Sequence, residues 1–395
     1  MTKSKFILKP GKEDSFRRFH PWVFSGAIQR IVGDDPTEGD VVTVEDWQGN
    51  FVGVGHYQVG SIAVRILSFT PVEIDLAFYR ERLQVAYEMR RSLGLENGDY
   101  NNAYRLVHGE GDNLPGLIID IYHNTAVMQA HSPGMHYARH TLAQALKEVM
   151  GDMIDNIYYK SETTLPYKAA LEQENEYLLG GVGDDTATEN GLKFHVDWLR
   201  GQKTGFFVDQ RENRSLLERY SRNRKVLNMF CYTGGFSFYA MRGGAELVHS
   251  VDSSAKAIDL TCQNVELNFP GDPRHQAFAE DAFKYLDAMG SNYDLIILDP
   301  PAFAKHRKVL NNALQGYRKL NAKAFEKIRP GGILFTFSCS QVVSKENFRL
   351  AVFTAAAQSG RKVRILHQLT QPADHPVNIY HPEGEYLKGL VLYVE

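Results

Sequence analysis

The chain has 395 residues, 43% hydrophobic and 23% charged, with 44 Lys and Arg against 47 Asp and Glu for a net charge of −3. This is the composition of an ordinary globular protein with room for two or three domains, and its overall charge does not mark a nucleic-acid binder. No apolar stretch approaches the roughly 20 residues of a membrane span.

The start, Met1-Thr2-Lys3-Ser4-Lys5, lacks the apolar region of a signal peptide. Three cysteines (Cys231, Cys262, Cys339) show no Cys-x-x-Cys spacing, so neither a disulfide framework nor a metal site is expected. A reducing cytoplasm is the expected compartment.

Residues 1–71 read as a small β domain. Val41-Val42-Thr43-Val44, Phe51-Val52-Gly53-Val54 and Ile62-Ala63-Val64-Arg65-Ile66-Leu67 are β-branched or alternating runs punctuated by Gly and Asn. Within the first 30 residues, seven Lys and Arg, among them Arg17 and Arg18, interleave with Phe16, Phe19, Trp22 and Phe24. Basic and aromatic side chains together suit phosphate contact plus base stacking, although a solvated basic edge over a small aromatic core has the same pattern.

Residues 72–185 read as α+β. A helical period covers 74–92, strands are expected at 104–108, 117–122, 125–131 and 154–159, and a helix at 137–150. A β-hairpin linker is expected over 186–211, with strands near 191–196 and 205–208. From 212 to 395 strand and helix alternate. Seven strands, at 225–230, 247–252, 275–281, 293–299, 331–338, 363–369 and 389–394, imply a doubly wound α/β sheet. The last two strands lack a helix between them, so one of them can run antiparallel.

Ligands bind beyond the carboxyl ends of strands in such sheets, and four strand ends here carry polar chemistry. The first is followed by Phe230-Cys231-Tyr232-Thr233-Gly234-Gly235, a glycine turn entering a helix. It does not match Gly-x-Gly-x-x-Gly, which argues against a dinucleotide pyrophosphate. Asp252 ends the second strand and can hold ribose hydroxyls, and Asp281 follows the third, where an acid can reach an adenine amino group. This set fits S-adenosylmethionine (SAM), which has no phosphate. Helix caps are the structural alternative for the acids.

The fourth strand ends in Asp299-Pro300-Pro301, where a carboxylate can accept a hydrogen bond from a base edge. Forty residues later, the fifth ends in Ser338-Cys339-Ser340. Carbon-5 of a pyrimidine is a poor nucleophile and needs covalent activation by a thiolate at C6; an exocyclic amine does not. Cys339 is the cysteine placed for that attack; a strand-end cysteine that merely packs is the structural alternative. Cys231 reads as packing and Cys262 as a buried helix residue.

Together these motifs resemble the PUA-domain ribosomal RNA large-subunit methyltransferases that make 5-methylcytidine. The resemblance covers almost the whole chain. It is carried by Gly201-Gln202-Lys203-Thr204-Gly205-Phe206-Phe207-Val208-Asp209-Gln210-Arg211-Glu212-Asn213, Phe230-Cys231-Tyr232-Thr233-Gly234-Gly235-Phe236, Asp299-Pro300-Pro301, Phe337-Ser338-Cys339-Ser340, Ala373-Asp374-His375-Pro376 and Pro382-Glu383-Gly384-Glu385-Tyr386-Leu387-Lys388-Gly389. His20-Pro21-Trp22-Val23-Phe24-Ser25-Gly26 looks like the family's RNA-binding PUA segment.

The resemblance implies a PUA domain, a central α+β domain and a Rossmann-like SAM domain. It implies Cys339 as nucleophile, Asp299 as the group that orients cytosine, and 23S rRNA or an assembling large subunit as substrate; a homodimer is compatible with it. Phe230, Tyr232, Thr233, Gly234, Asp252, Asp281, Asp299, Gln210 and Arg211 are the expected cofactor contacts, and Lys203, Arg17, Arg18 and Trp22 the expected RNA contacts. Over 202–213, Lys203, Arg211 and Arg214 suit phosphate contact and Phe206 and Phe207 suit stacking on a base or on adenine; the structural alternative is a hairpin entering a helix with Asp209 as its cap. Other cytosine-5 RNA methyltransferases carry a second cysteine just after Asp-Pro, where this chain has Ala302-Phe303. The base that removes the C5 proton is therefore open, with His375 and Lys203 as polar candidates. The rival readings are methylation of an exocyclic amine and a non-catalytic ribosome-assembly factor.

Overall fold

The computed structural model describes residues 4–166, 174–304 and 306–395. The chain divides into two compact units. The first comprises Met1–Gly191, Val196–Val208 and Ala373–Gly384; the second comprises Leu192–His195, Asp209–Pro372 and Glu385–Glu395.

The first unit opens with six strands, β1 (Ser4–Leu8), β2 (Trp22–Phe24), β3 (Ile28–Gly33), β4 (Val41–Glu45), β5 (Phe51–Tyr57) and β6 (Ile62–Ser68), with a one-turn helix α1 (Asp14–Arg17) between the first two. They form one sheet in the order β2-β6-β5-β4-β1-β3. Only the β1–β4 pair is parallel. Phe6, Leu8, Phe16, Val23, Val42, Val44, Val64 and Ile66 fill its core. In β4 the buried residues Val42 and Val44 alternate with partly exposed ones, as one covered face requires. At Gly55 a Cβ would lie 2.0 Å from the Arg65 carbonyl oxygen, so only glycine permits this approach of β5 and β6.

A second sheet follows. Helix α2 (Leu76–Ser92) starts at Asp75, whose carboxylate accepts from the Phe78 amide. Strands β7 (Ala103–His108), β8 (Leu117–Tyr122), β9 (Thr125–Ala130), β10 (Asn156–Tyr159) and β11 (Glu176–Leu179) pair in the order β11-β10-β9-β8-β7. Helices α3 (Pro133–Tyr137) and α4 (Arg139–Met150) separate β9 from β10. Leu83, Leu106, Ile119, Met128, Leu142 and Leu146 are wholly enclosed in the core.

Deep in this unit Arg90 is fully buried and forks onto Asp112 at 2.5 and 2.8 Å, while its second amino group also donates to the Asp374 carbonyl. The Asp374 carboxylate in turn accepts from the Arg105 amide. These bonds place the segment Ala373–Gly384 in the first unit although it lies far along the chain.

Strands β12 (Thr186–Glu189) and β13 (Leu192–His195) follow. The strand expected at 205–208 does not form. Gly205 has φ +119° and its amide donates to the Gln202 carbonyl, so the segment closes a local turn instead of a ladder. It then enters a 3-10 turn at Val208–Gln210.

The second unit holds seven strands: β14 (Lys225–Met229), β15 (Leu247–Asp252), β16 (His275–Ala279), β17 (Leu295–Leu298), β18 (Gly332–Ser338), β19 (Val363–Leu369) and β20 (Lys388–Val394). Their order is β16-β15-β14-β17-β18-β20-β19. Only β20 is reversed, antiparallel to both neighbours. Its connection from β19 contains no helix that would return the chain for a parallel strand. The helices are α5 (Arg211–Tyr220), α6 (Gly235–Arg242), α7 (Ala255–Asn268), α8 (Ala282–Ala288), α9 (Leu310–Lys327) and α10 (Lys345–Ser359). β17 is buried along its whole length, as its Leu-Ile-Ile-Leu run requires of a strand covered on both faces. One apolar cluster includes Tyr317, Leu320 and Phe348 on α9 and α10; a second includes Leu217 and Phe236 on α5 and α6.

Candidate active site

Phe230, Tyr232, Thr233, Gly234, Asp252, Asp281, Asp299 and Cys339, among the expected site residues, sit at the carboxyl ends of parallel strands of the second unit. After β14 the chain turns sharply: Phe230 has φ +60°, Tyr232 +49° and Gly234 +83°. A Cβ on Gly234 would meet the Thr261 methyl at 2.7 Å, so the turn needs glycine for conformation and for space. Helix α7 braces this turn. Thr261 donates to the Tyr232 carbonyl at 2.8 Å and Asn264 to the Thr233 carbonyl at 2.9 Å.

Asp252, at the end of β15, accepts from the Tyr232 amide at 3.0 Å and the Ser254 amide at 2.9 Å. It ties two strand ends together and remains partly open. Asp281, after β16, caps α8 through one oxygen, which accepts from the Lys284 amide. The capping alternative is thus realised at Asp281, yet the residue is exposed and its other oxygen is unoccupied among the described residues. A half-open carboxylate, an exposed carboxylate and a tight glycine turn suit a ligand with hydroxyl and amino donors and no phosphate, and SAM meets that description.

Asp299 follows β17 and Cys339 follows β18, and these strands are parallel neighbours with Leu298 opposite Thr336. Asp299 is half-buried and accepts from the Gln210 side-chain amide at 3.0 Å. Burial pushes its carboxyl up to about 7, the Asp209 charge adds to the rise, and the Gln210 hydrogen bond and the Arg214 charge oppose it. Asn213 donates to Gln210 at 2.6 Å and so fixes which end of that amide faces Asp299.

Asp209 does not cap α5. The 3-10 turn shifts the cap position to Gln210, and Asp209 instead accepts from the Tyr386 hydroxyl at 2.7 Å. Arg211, expected at the cofactor, is a buried first-turn residue of α5, and Gln210 is engaged with Asp299.

Of the three thiols, Cys231 is buried and its ionisation is pushed well up by burial. Cys262, expected to be buried, is exposed on α7. Cys339 is half-buried at the end of a fully buried strand. The turn around it is held by Ser338, which donates to the Tyr317 hydroxyl at 2.9 Å, and by Ser340, which donates to the Ala304 carbonyl at 2.6 Å. Burial raises the Tyr317 phenol to about 12, so it stays neutral.

From the sequence Tyr317 is not singled out, and Lys388 is named only within the 382–389 motif, without a role of its own. The second had a signal: a lysine heading the apolar strand Lys388-Gly-Leu-Val-Leu-Tyr-Val is a charge that must find partners.

The expected RNA contacts lie in the first unit. Arg17 and Arg18 are exposed, and Lys203 is exposed in a turn with φ +53°. Trp22 is half-buried; its indole N–H donates to Glu110 at 2.8 Å, and the Arg65 guanidinium sits 5.4 Å from its ring. His375 is buried in the same unit, 3.1 Å from Asp374 and beside the His108 ring.

Comparison with known proteins places this arrangement. A family described as S-adenosylmethionine-dependent methyltransferase matches residues 167–382, and a PUA-like domain matches residues 6–69. The ribosomal RNA large subunit methyltransferase I of Tolumonas auensis is 40% identical over 393 residues, 98% of each chain. That of Aeromonas hydrophila subsp. hydrophila is 39% identical over 400 residues, 99% of each chain. A solved Streptococcus mutans chain assigned to the SAM-dependent methyltransferases superimposes with a TM-score of 0.84 over 99% of this chain and 100% of its own. At 22% identity that likeness speaks for the fold alone. The chain belongs to the family of the ribosomal RNA large subunit methyltransferases I, SAM-dependent methyltransferases with an N-terminal PUA-like domain.

Proposed function

We propose that this enzyme methylates carbon 5 of a cytosine in 23S ribosomal RNA, free or within an assembling large subunit in the cytoplasm, through a covalent bond from Cys339 to C6. The observation that carries the reading is the pairing of Asp299 and Cys339 at the ends of adjacent parallel strands. An exocyclic amine would need the carboxyl but no thiol.

SAM, when bound, supplies an electrophilic methyl group. The chain's residues do the rest. The Cys339 thiolate adds to C6; the S–C6 bond forms and the C5=C6 pair shifts so that C5 becomes nucleophilic. Asp299 holds the N3 edge of the base. With its carboxyl raised to about 7, a large neutral fraction exists at neutral pH and can donate to N3 as charge develops there. After C5 is methylated its proton leaves to a base, the electron pair re-forms C5=C6, and the thiolate departs. With Ala302 and Phe303 after Pro301, no cysteine follows the Asp-Pro-Pro motif to assist that step.

The RNA itself is held by the first unit, with Arg17, Arg18 and Lys203 on phosphate and Trp22 at its edge. Incubation with SAM and RNA containing 5-fluorocytosine blocks the C5 departure and is expected to trap a covalent complex that Cys339→Ala abolishes. Unimpaired turnover by Cys339→Ala would overturn the nucleophile. Mass spectrometry of rRNA from cells lacking the gene then reads the product: missing 5-methylcytidine is expected, and a missing methylamino base selects the amine reading instead.

A further inference from the structure

Lys388 opens β20 opposite Ser338, the residue before Cys339. It is buried, with 6% of its surface exposed. Its ammonium donates to the carbonyls of Ser340, at 2.5 Å, and Val343, at 2.8 Å. Both acceptors lie in the turn that Cys339 begins. An ammonium has three N–H donors, and among the described residues the third finds no acceptor.

A buried lysine whose acceptors are two neutral carbonyls lacks the carboxylate that usually accompanies such a charge. Glu385 is bound to Lys345 at 2.7 Å, and that half-exposed pair presents both signs to the surroundings. On the α9 side the turn meets the Tyr317 phenol, which accepts from Ser338 and is neutral. The Cys339 thiol is therefore the nearby group whose ionisation would provide the missing negative charge.

We propose that Lys388 is the positioning residue of the thiol: it pins the Ser340–Val343 turn behind Cys339 and provides the positive charge in whose field the thiolate forms. This rests on the reading of Cys339 as nucleophile. In the step concerned the S–H bond breaks, the electron pair stays on sulfur, the proton passes to water, and Lys388 remains an ammonium.

The electrostatics agree in direction. Burial pulls Lys388 down to about 8, while a charge on Cys339 pulls it back up. Coupling between two sites is reciprocal, so an ammonium that binds its proton more tightly beside a thiolate favours that thiolate by the same free energy.

The test is the pH dependence of iodoacetamide alkylation on the full chain, read thiol by thiol by peptide mass spectrometry. Exposed Cys262 serves as an internal control. In the wild type the Cys339 midpoint is expected below that of Cys262. In Lys388→Gln, which keeps an N–H donor but no charge, Cys339 alkylation at pH 7 is expected to slow about tenfold, with its midpoint up by about one pH unit and Cys262 unchanged. Lys388→Arg is expected to restore the low midpoint.

A wild-type Cys339 midpoint at or above that of Cys262 overturns the proposal even if neither variant folds. An unmoved midpoint in folded Lys388→Gln does the same. Failure of the nucleophile reading looks different: the 5-fluorocytosine RNA would not be trapped, whatever the alkylation profiles.

Discussion

Asp299 carries a cost in stability that accompanies the role proposed for it. Its carboxyl rises from 3.8 to about 7 in the folded chain, so below the lower value both states are protonated and nothing is lost. Between the two values the unfolded chain ionises while the native one holds its proton, and stability falls as pH rises through that window. The full shift corresponds to about 4 kcal/mol, and the residue's partial exposure reduces this to about 1–3 kcal/mol. Asp299→Asn keeps an oxygen for Gln210 and removes the titration. It is expected to be more stable than the wild type at pH 8 by about 1–3 kcal/mol, with a smaller gain at pH 5, measured by urea unfolding, while methyl transfer drops by at least about a hundredfold. A gain independent of pH would show that the carboxyl does not titrate in this window. Position and type of this residue were legible from Asp-Pro-Pro after an apolar strand. Its hydrogen bond to Gln210 was not, because it joins positions 89 residues apart and only the folded sheet brings them together.

At the scale of elements, buried parallel strands announce themselves because both faces are covered and the run is continuously apolar. The seven strand positions of the second unit were readable for that reason, as was the reversal of one of the last two. β1, β2 and β3 were not singled out. β2 has three residues, and β3 is exposed from Gln29 to Gly33 at the sheet edge, where hydrophobic periodicity has nothing to report. Cys262 was misjudged on α7 because one apolar residue does not define which helix face is covered. The turn from β14 into α6 was legible as a glycine turn, but its bracing by Thr261 and Asn264 was not. That bracing sets the next expectation. Gly234→Ala forces a left-handed residue with a Cβ 2.7 Å from the Thr261 methyl. It is expected to cost about 1–3 kcal/mol in urea unfolding. SAM affinity by calorimetry is expected to fall more than tenfold, since the displaced backbone carries Tyr232 and its bond to Asp252. Retained affinity would mean that the turn can shift without disturbing the ligand contacts.

For the molecule as a whole, a net charge of −3 repels RNA at long range, so any electrostatic attraction must come from local excess. The first 30 residues hold seven cationic side chains against Glu13 and Asp14. Arg17 and Arg18 are well suited because both are exposed; Arg17 makes a 3.9 Å surface pair with Asp14 and feels the Asp46 charge, and Arg18 bonds a carbonyl. Such contacts add little to folding, so removing them tests binding without disturbing the fold. Each phosphate contact releases counterions and contributes about 0.7 to the salt slope on single strands and about 0.9 on duplex. The double variant Arg17→Ala with Arg18→Ala is expected to lower the slope of log K against log salt by about 1.4–1.8, with SAM affinity and unfolding midpoint unchanged. Filter binding of rRNA fragments across a salt series measures it. An unchanged slope would remove this edge from the RNA interface and leave the aromatic-basic pattern as the rim of the small core built on Phe6, Phe16 and Val23.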